Sequence, residues 1–202
     1  MTLLDEIVIK RLGRVDYAAA LEAMRDFTNS RGEATPDELW LVEHPPVYTL
    51  GQGVDHDPVA NGISVIKADR GGDITYHGPG QVVVYTLIDL ARRGIKVKPF
   101  VALLEQAVID LLEGRAERRP GAPGVYVKGA KIAALGIRVR QGRAYHGLAL
   151  NVDMDLSPFS AIDPCGYPGL AVTQMKDLGI PHDVTAVGEG LARMLVEKIE
   201  NA

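Results

Sequence analysis

Residues 81–90, QVVVYTLIDL, are apolar or β-branched at almost every position. Such a run reads as a buried strand, and a chain that contains one must supply other layers to cover it. GISVIKAD (62–69) reads the same way. Further strand-like segments come in pairs. ELWLVEH and PVYTLG meet at Pro45-Pro46, and KIAALGIRV (131–139) and AYHGLALNVDM (144–154) flank RQGR, which has the look of a hairpin turn. A short apolar run, EIVIKRLG, precedes them all. Three segments have helical spacing. In 16–32 the apolar positions are Tyr17, Leu21, Met24 and Phe27, with Gly32 as the stop. In 98–114, Pro99 suits the first turn, Val101, Leu104, Val108 and Leu111 form the stripe, and Gly114 closes it. In 183–200 the stripe is Val187, Leu191, Leu195 and Ile199. Paired strands that do not alternate strictly with helices predict an α+β fold with a mixed or antiparallel sheet, its helices on one face.

The 202 residues contain no repeat and no linker-like tract, so one domain spanning 1–202 is expected. A single cysteine excludes an internal disulfide and cysteine-rich zinc or iron–sulfur sites. No stretch reaches the ~20 apolar residues of a membrane span, and MTLLDEIVIK lacks the basic start and apolar centre of a signal peptide. A net charge of −4 argues against nucleic acid as a partner. The expectation is a soluble, cytoplasmic protein.

The cysteine, Cys165, stands in IDPCGYPG between Pro164 and Gly166. A lone cysteine is commonly an inert buried residue. This setting also suits a turn that presents the thiol outward, with Gly166 opening the backbone N–H groups to an oxyanion. A reactive thiol needs a cationic or basic neighbour, because the thiolate is the nucleophile. The candidates are Lys131, at the head of an otherwise apolar strand, and His44, His56, His77, His146 and His182. A lysine at a strand start is ordinarily solvated; held beside Cys165 it would favour the thiolate or take its proton. A second cluster is RGGDITYHGPGQ (70–81), where Arg70 and His77 frame a glycine-rich connection. It is either an ordinary turn-rich loop or one that lets a ligand approach the backbone, and it lacks the Gly-Lys-Ser/Thr and following helix of a P-loop. His146 alternates with apolar neighbours and reads as a satisfied, half-buried histidine. Asp153 and Asp155 read as turn and cap residues, and no metal site is expected.

RGGDITYHGPGQVVVY, GVYVKGAKIAALGIRV, YHGLALNVDMDLSPFSAIDPCG and TQM, in this order, resemble the octanoyltransferases of lipoate biosynthesis from about Leu39 to the last helix. The resemblance implies the α+β catalytic fold of biotin and lipoate protein ligases, with a mixed β-sheet and packed helices. It implies an acyltransferase that takes octanoyl, or lipoyl, from acyl carrier protein. The acceptors are lysines of lipoyl domains, in 2-oxoacid dehydrogenase E2 subunits and the glycine cleavage H protein. By the same resemblance Cys165 carries the acyl thioester and Lys131 activates it. The substrate segments fall on Arg70, Gly71, Gly72, Asp73, Ile74, Thr75, Tyr76 and His77, on Ala134, Leu135 and Gly136, and on Gly147, Leu148 and Ala149. Because the donor is already a thioester, neither ATP nor a metal is called for, and no nucleic acid or membrane is implied. The small residues of AALG and GLAL would leave room for the alkyl chain, so a bulky residue at Leu135 or Gly147 is expected to shorten the chain accepted. Three rival readings make distinct predictions: an ATP-dependent ligase that dispenses with Cys165, a cysteine hydrolase that releases free acid, and a carrier-binding domain that forms no adduct.

Overall fold

The structure, a computed structural model, describes residues 6–54, 61–162, 169–181 and 183–202. Its elements run β1 (Ile7–Arg14), α1 (Tyr17–Ser30), β2 (Asp37–Glu43), β3 (Val47–Leu50), β4 (Ser64–Lys67), β5 (Ile74–His77), β6 (Gln81–Asp89), α2 (Leu90–Arg93), α3 (Val97–Leu111), β7 (Glu117–Arg118), β8 (Val125–Val127), β9 (Ala130–Arg140), β10 (Arg143–Asn151) and α4 (Val184–Glu200). The larger sheet has the order β1-β2-β6-β10-β9-β8-β7, and a smaller one has β4-β3-β5. Both are mixed: β1 and β2 run parallel, as do β3 and β4, and the remaining neighbours are antiparallel. The mixed-sheet α+β architecture is the one the sequence predicts.

β6 lies inside the large sheet, between β2 and β10, and is buried on both faces. Val82, Val84 and Ile88 join the core formed with Phe100, Leu104 and Val108 of α3 and Leu191 and Leu195 of α4. Val83, Tyr85 and Leu87 point the other way, toward Tyr17, Leu21 and Met24 of α1. The helices therefore cover both faces rather than one, which is why β6 carries no polar alternation. Residues 62–69 also depart from expectation. β4 is an edge strand with Ser64, Val65 and Lys67 exposed, not a buried strand. The 70–81 connection is not loop throughout, because it contains β5, paired antiparallel with β3.

Local chemistry sets the element ends. Asp16 caps α1 by accepting from Ala18 N and Ala19 N, and Asp183 caps α4 through Ala186 N. Gln141 and Gly142 both have positive φ (51° and 78°), so RQGR is the two-residue turn that matches strand twist, joining β9 to β10. Gly114, at φ 72°, follows α3 as a left-handed stop. α1 ends differently. Arg31, not Gly32, leaves the helix in an extended conformation, and its guanidinium reaches Asp37 at 2.6 Å and the Leu87 carbonyl at 3.0 Å. Asp37 is fully buried and also pairs with Arg92 and Arg93. Burial pushes its carboxyl up, but the Asp89 N–H and the Arg93 and Arg31 guanidinia outweigh that and hold it below its ordinary value. No helix among the described residues is long and apolar enough to cross a membrane.

Candidate active site

A trough runs along the β9–β10 pair on the side facing α1. Its floor is a ladder of small residues, Ala134 opposite Ala149 and Gly136 opposite Gly147. The intervening pair, Leu135 and Leu148, belongs to the opposite pleat, and both side chains join the core shared with α3 and α4. The cleft above this floor measures about 730 Å³ with its open mouth included. Ile74 and Thr75 of β5, Val83 and Tyr85 of β6, and Phe159 and Val172 complete its walls. Leu135, Gly147 and Leu148 also line the cleft, the two leucine side chains packing into the core behind it. A larger side chain at Leu135 would enter the core, and a Cβ at Gly147 would overlap the Val84 carbonyl of β6. Ala134 and Ala149 are the positions from which a side chain would grow into the trough.

Lys131 stands at one end and is 3% exposed, against the ordinary solvation of a lysine at a strand start. A one-residue bulge puts it there. Val125 pairs with Ala133 and Tyr126 with Lys131, so Ile132 is extra, and Ile132 and Ala133 both join the α3–α4 core. Lys131 thereby shares the trough side with Ala134 and Gly136. Gly124 makes the space: a Cβ there would overlap Lys131 Cε and lie 3.0 Å from Nζ. The ammonium also lies 5.4 Å from the centre of the Tyr126 ring, within cation–π range. The Lys131 N–H donates to the Ala171 carbonyl at 2.8 Å, and the Thr173 N–H donates to the Lys131 carbonyl at 2.9 Å. The chain that follows Cys165 in sequence is thus tied to the backbone of Lys131. Cys165 itself, with His56 and His182, lies outside the described residues.

Arg70 is 8% exposed and braces the glycine-rich segment from within. Its guanidinium donates to Thr49 O at 2.7 Å, Thr49 Oγ1 at 2.8 Å and Gly71 O at 3.0 Å. The segment lies so close to its neighbours that a Cβ at Gly51 would overlap Gly72 O, and one at Gly136 would come within 2.9 Å of Gly71 O. Arg70, Gly72, Asp73, Ile74, Thr75 and His77 line the cleft. Gly71 instead donates its N–H to Ile137 O, and Tyr76 packs its ring with Tyr48 and Phe159.

Buried histidines and tyrosines gather beside the cleft. His77 stacks on Tyr17 at 5.7 Å and donates Nδ1–H to Gln81 Oε1 at 2.7 Å, Gln81 having turned its amide N–H toward Asn151. Burial, with His44 and Arg70 adding to it, lowers the His77 pKa to about 3. His44 donates Nδ1–H to Val15 O and accepts the Tyr85 hydroxyl on Nε2, both at 2.6 Å, and burial lowers its pKa. His146 is fully buried rather than half-buried. It has φ 62° within β10, a conformation rare for a residue with a side chain. Tyr145 and His146, neighbours in sequence, therefore stack on the same side of the sheet at 4.9 Å and both reach Asp69. The Thr86 hydroxyl donates to the His146 carbonyl at 3.0 Å, where regular ladder bonding is interrupted.

Among the cleft residues, Tyr17, Gln81, Val83, Tyr85, Asn151, Phe159 and Val172 are not among the site residues expected from the sequence. Tyr17 reads as a helical core position and Tyr85 as a strand core position, so periodicity hides both. Asp155 caps the turn at Ser157 N and Asp153 pairs with Lys176, as turn and cap residues do.

Residues 16–195 match the family described as Lipoyl protein ligase A/B catalytic domain. An octanoyltransferase of Aromatoleum aromaticum is 62% identical over 194 residues, covering 94% of this chain and 84% of that protein. One of Dechloromonas aromatica is 59% identical over 198 residues, covering 96% and 97%. Among solved structures, a lipoate-protein ligase A bound with ATP superposes with TM-score 0.80 at 18% identity, covering 96% of this chain and 85% of the other. A biotin protein ligase from Aquifex aeolicus superposes with TM-score 0.62 at 11% identity, covering 96% and 71%. At such identities the two ligases speak to the fold alone, and it is the fold expected.

Proposed function

We propose, for a chain that belongs to the octanoyltransferases of the lipoyl protein ligase A/B family, that residues 1–202 form one catalytic domain working through a Cys165 thioester. The donor is octanoyl-acyl carrier protein and the acceptor is a lysine of a lipoyl domain, of the E2 or H-protein type. The observation that carries this reading is Lys131, a buried lysine at the head of a small-residue trough and hydrogen-bonded through its backbone to the chain that follows Cys165.

In the first half-reaction the Cys165 thiolate, paired with the Lys131 ammonium, attacks the thioester carbonyl. The tetrahedral oxyanion collapses, the carrier thiolate leaves, and it takes its proton from Lys131. Octanoyl-Cys165 and a neutral Lys131 remain. The acceptor amine, deprotonated by solvent beforehand since an alkylamine is mostly ammonium at neutral pH, then attacks the Cys165 thioester. Its surplus proton passes to Lys131 as the amide forms, and Cys165 departs as thiolate, restoring the starting pair. The acyl group stays activated throughout, so the scheme needs no ATP, metal or other cofactor and suits a cytoplasmic enzyme. The trough holds the alkyl tail, whose full burial would contribute several kcal/mol at about 0.8 kcal/mol per CH₂.

Intact-protein mass after brief exposure to octanoyl-acyl carrier protein tests the scheme. A hydroxylamine-sensitive octanoyl adduct is expected on the wild type, absent from Cys165→Ser, slow to form in Lys131→Ala, and discharged by a lipoyl domain. Acceptor octanoylation that persists in Cys165→Ser would overturn it.

A further inference from the structure

The glycine-rich segment delivers His77 to the Lys131 end of the trough. Gly71 donates its N–H to Ile137 O, six residues along β9 from Lys131. β5 then carries the chain back, and His77 bonds to Gln81, which pairs with Asn151 across the β6–β10 ladder. Leu150 pairs with Ala133, so Asn151 lies one step nearer to Lys131. The Asn151 side chain donates to Thr173 O at 3.0 Å, and the Thr173 N–H donates to the Lys131 carbonyl at 2.9 Å. His77, Gln81, Asn151 and Lys131 all line the cleft.

These bonds fix which nitrogen of His77 carries the proton. A peptide carbonyl can only accept, so Thr173 O takes the amide nitrogen of Asn151 and leaves Oδ1 facing Gln81. Gln81 must therefore donate, and its Nε2 does so to Asn151 Oδ1 at 3.0 Å and to the Tyr76 carbonyl at 3.3 Å. Its Oε1 is left to face His77, which must donate in turn through Nδ1. The neutral ring then carries its lone pair on Nε2. That nitrogen makes no hydrogen bond to the described residues, yet it is not among the buried atoms left without a partner, and the residue lines the cleft. Burial, with His44 and Arg70 adding to it, lowers the ring's pKa to about 3, so at neutral pH it stays an acceptor.

We propose that His77 Nε2 accepts a hydrogen bond from the amine of the acceptor lysine as that amine attacks the acyl-enzyme. The inference rests on the reading that the acyl group passes through a Cys165 thioester beside Lys131. Only the second half-reaction brings an N–H donor to the reacting carbon, since the thiolate that attacks in the first has no hydrogen to donate. As the C–N bond forms, the nitrogen holds two hydrogens and a positive charge. One hydrogen is the surplus proton that passes to Lys131, and the other stays on the amide product. His77 holds the one that stays and takes no proton itself. Its lone pair aims the amine at the carbonyl and favours the charge that develops on nitrogen.

The test separates the two half-reactions in His77→Phe, which keeps a ring against Tyr17 and has no acceptor. His77→Asn is the companion variant, because its amide N–H can still serve Gln81 while nothing replaces Nε2. Octanoyl-enzyme is formed from octanoyl-acyl carrier protein, freed of carrier, and mixed rapidly with a lipoyl domain or with methyl thioglycolate, a thiol that has no N–H. Adduct formation and discharge to the thiol are expected to keep close to wild-type rates, which also shows that the variants are folded. Discharge to the lipoyl domain is expected to slow about 10- to 100-fold, the range for losing a hydrogen bond to a charged group. If both variants discharge to the lipoyl domain as fast as the wild type, or lose adduct formation and thiol discharge in the same proportion, His77 does not hold the amine and the thioester reading stands. If the wild type forms no adduct at all, the thioester reading falls and this inference with it.

Discussion

Acidification from pH 7 to pH 5 should destabilise this protein by an amount that His77 alone makes calculable. The ring is stacked on Tyr17, bonded through Nδ1 to Gln81 and removed from water, and burial with His44 and Arg70 beside it lowers its pKa to about 3. In the unfolded chain the same imidazole titrates near ~6.5. Above that value both states hold a neutral ring and His77 contributes nothing to the pH dependence. Below it the unfolded state takes up a proton that the folded state refuses, so stability falls as the pH drops, until the folded ring protonates near 3. At pH 5 the loss from this one group is about 2 kcal/mol, at ~1.4 kcal/mol per pH unit below ~6.5. Burial shifts His44 and His146 the same way, so 2 kcal/mol is a lower bound. Urea unfolding at pH 7, 6 and 5 measures the loss, and His77→Gln, which cannot charge, should remove up to one proton's worth of the slope. Equal unfolding free energies at pH 7 and pH 5, or an unaltered slope in His77→Gln, would refute the claim that these rings are held neutral.

Two substitutions should separate fold from site. Gly147→Ala directs a methyl into the Val84 carbonyl of the neighbouring strand, so it should cost about 2–4 kcal/mol of stability; denaturant unfolding within ~0.5 kcal/mol of wild type would contradict that packing. Asp37→Asn leaves Arg31, Arg92 and Arg93 converging on a neutral amide in a buried site and should cost about 3–5 kcal/mol. Calorimetry would expose an error there as an unchanged melting temperature.

Much of the fold is legible because it is local. Asp16 and Asp183 cap the helices they precede, and Gln141-Gly142 supplies the two positive φ values a short hairpin demands. Features that depend on distant partners are not legible. SVIK has the residue types of a buried strand, and only the sheet order reveals it as an edge. The helix faces follow periodicity, yet nothing in 16–32 says that α1 covers the opposite side of the sheet from α3 and α4. At the site the same division holds. The glycine-rich segment announces a close approach, but its partners at Gly51 and Gly136 are far away in sequence. Residue type argues for a solvated Lys131. A bulge at Ile132 and the missing side chain of Gly124 overturn that argument, and neither can be read from the strand's composition. His146 obeys strand alternation on paper and escapes it through one backbone angle.

The strand pair makes the site a matter of register. In β9 and β10 the small residues alternate with leucine and isoleucine, so sliding one strand past the other by a single residue would exchange the faces. Leu135 or Leu148 would then rise into the trough while glycine and alanine faced α3 and α4, emptying the core and filling the cleft together. What prevents this is the turn at the far end of the hairpin, whose Gln141 and Gly142 fix Arg140 opposite Arg143 and thereby Gly136 opposite Gly147. The core then reinforces the choice, since Leu148 and Leu150 are buried only in this register. A turn that touches neither Lys131 nor the cleft thus decides whether a cleft exists.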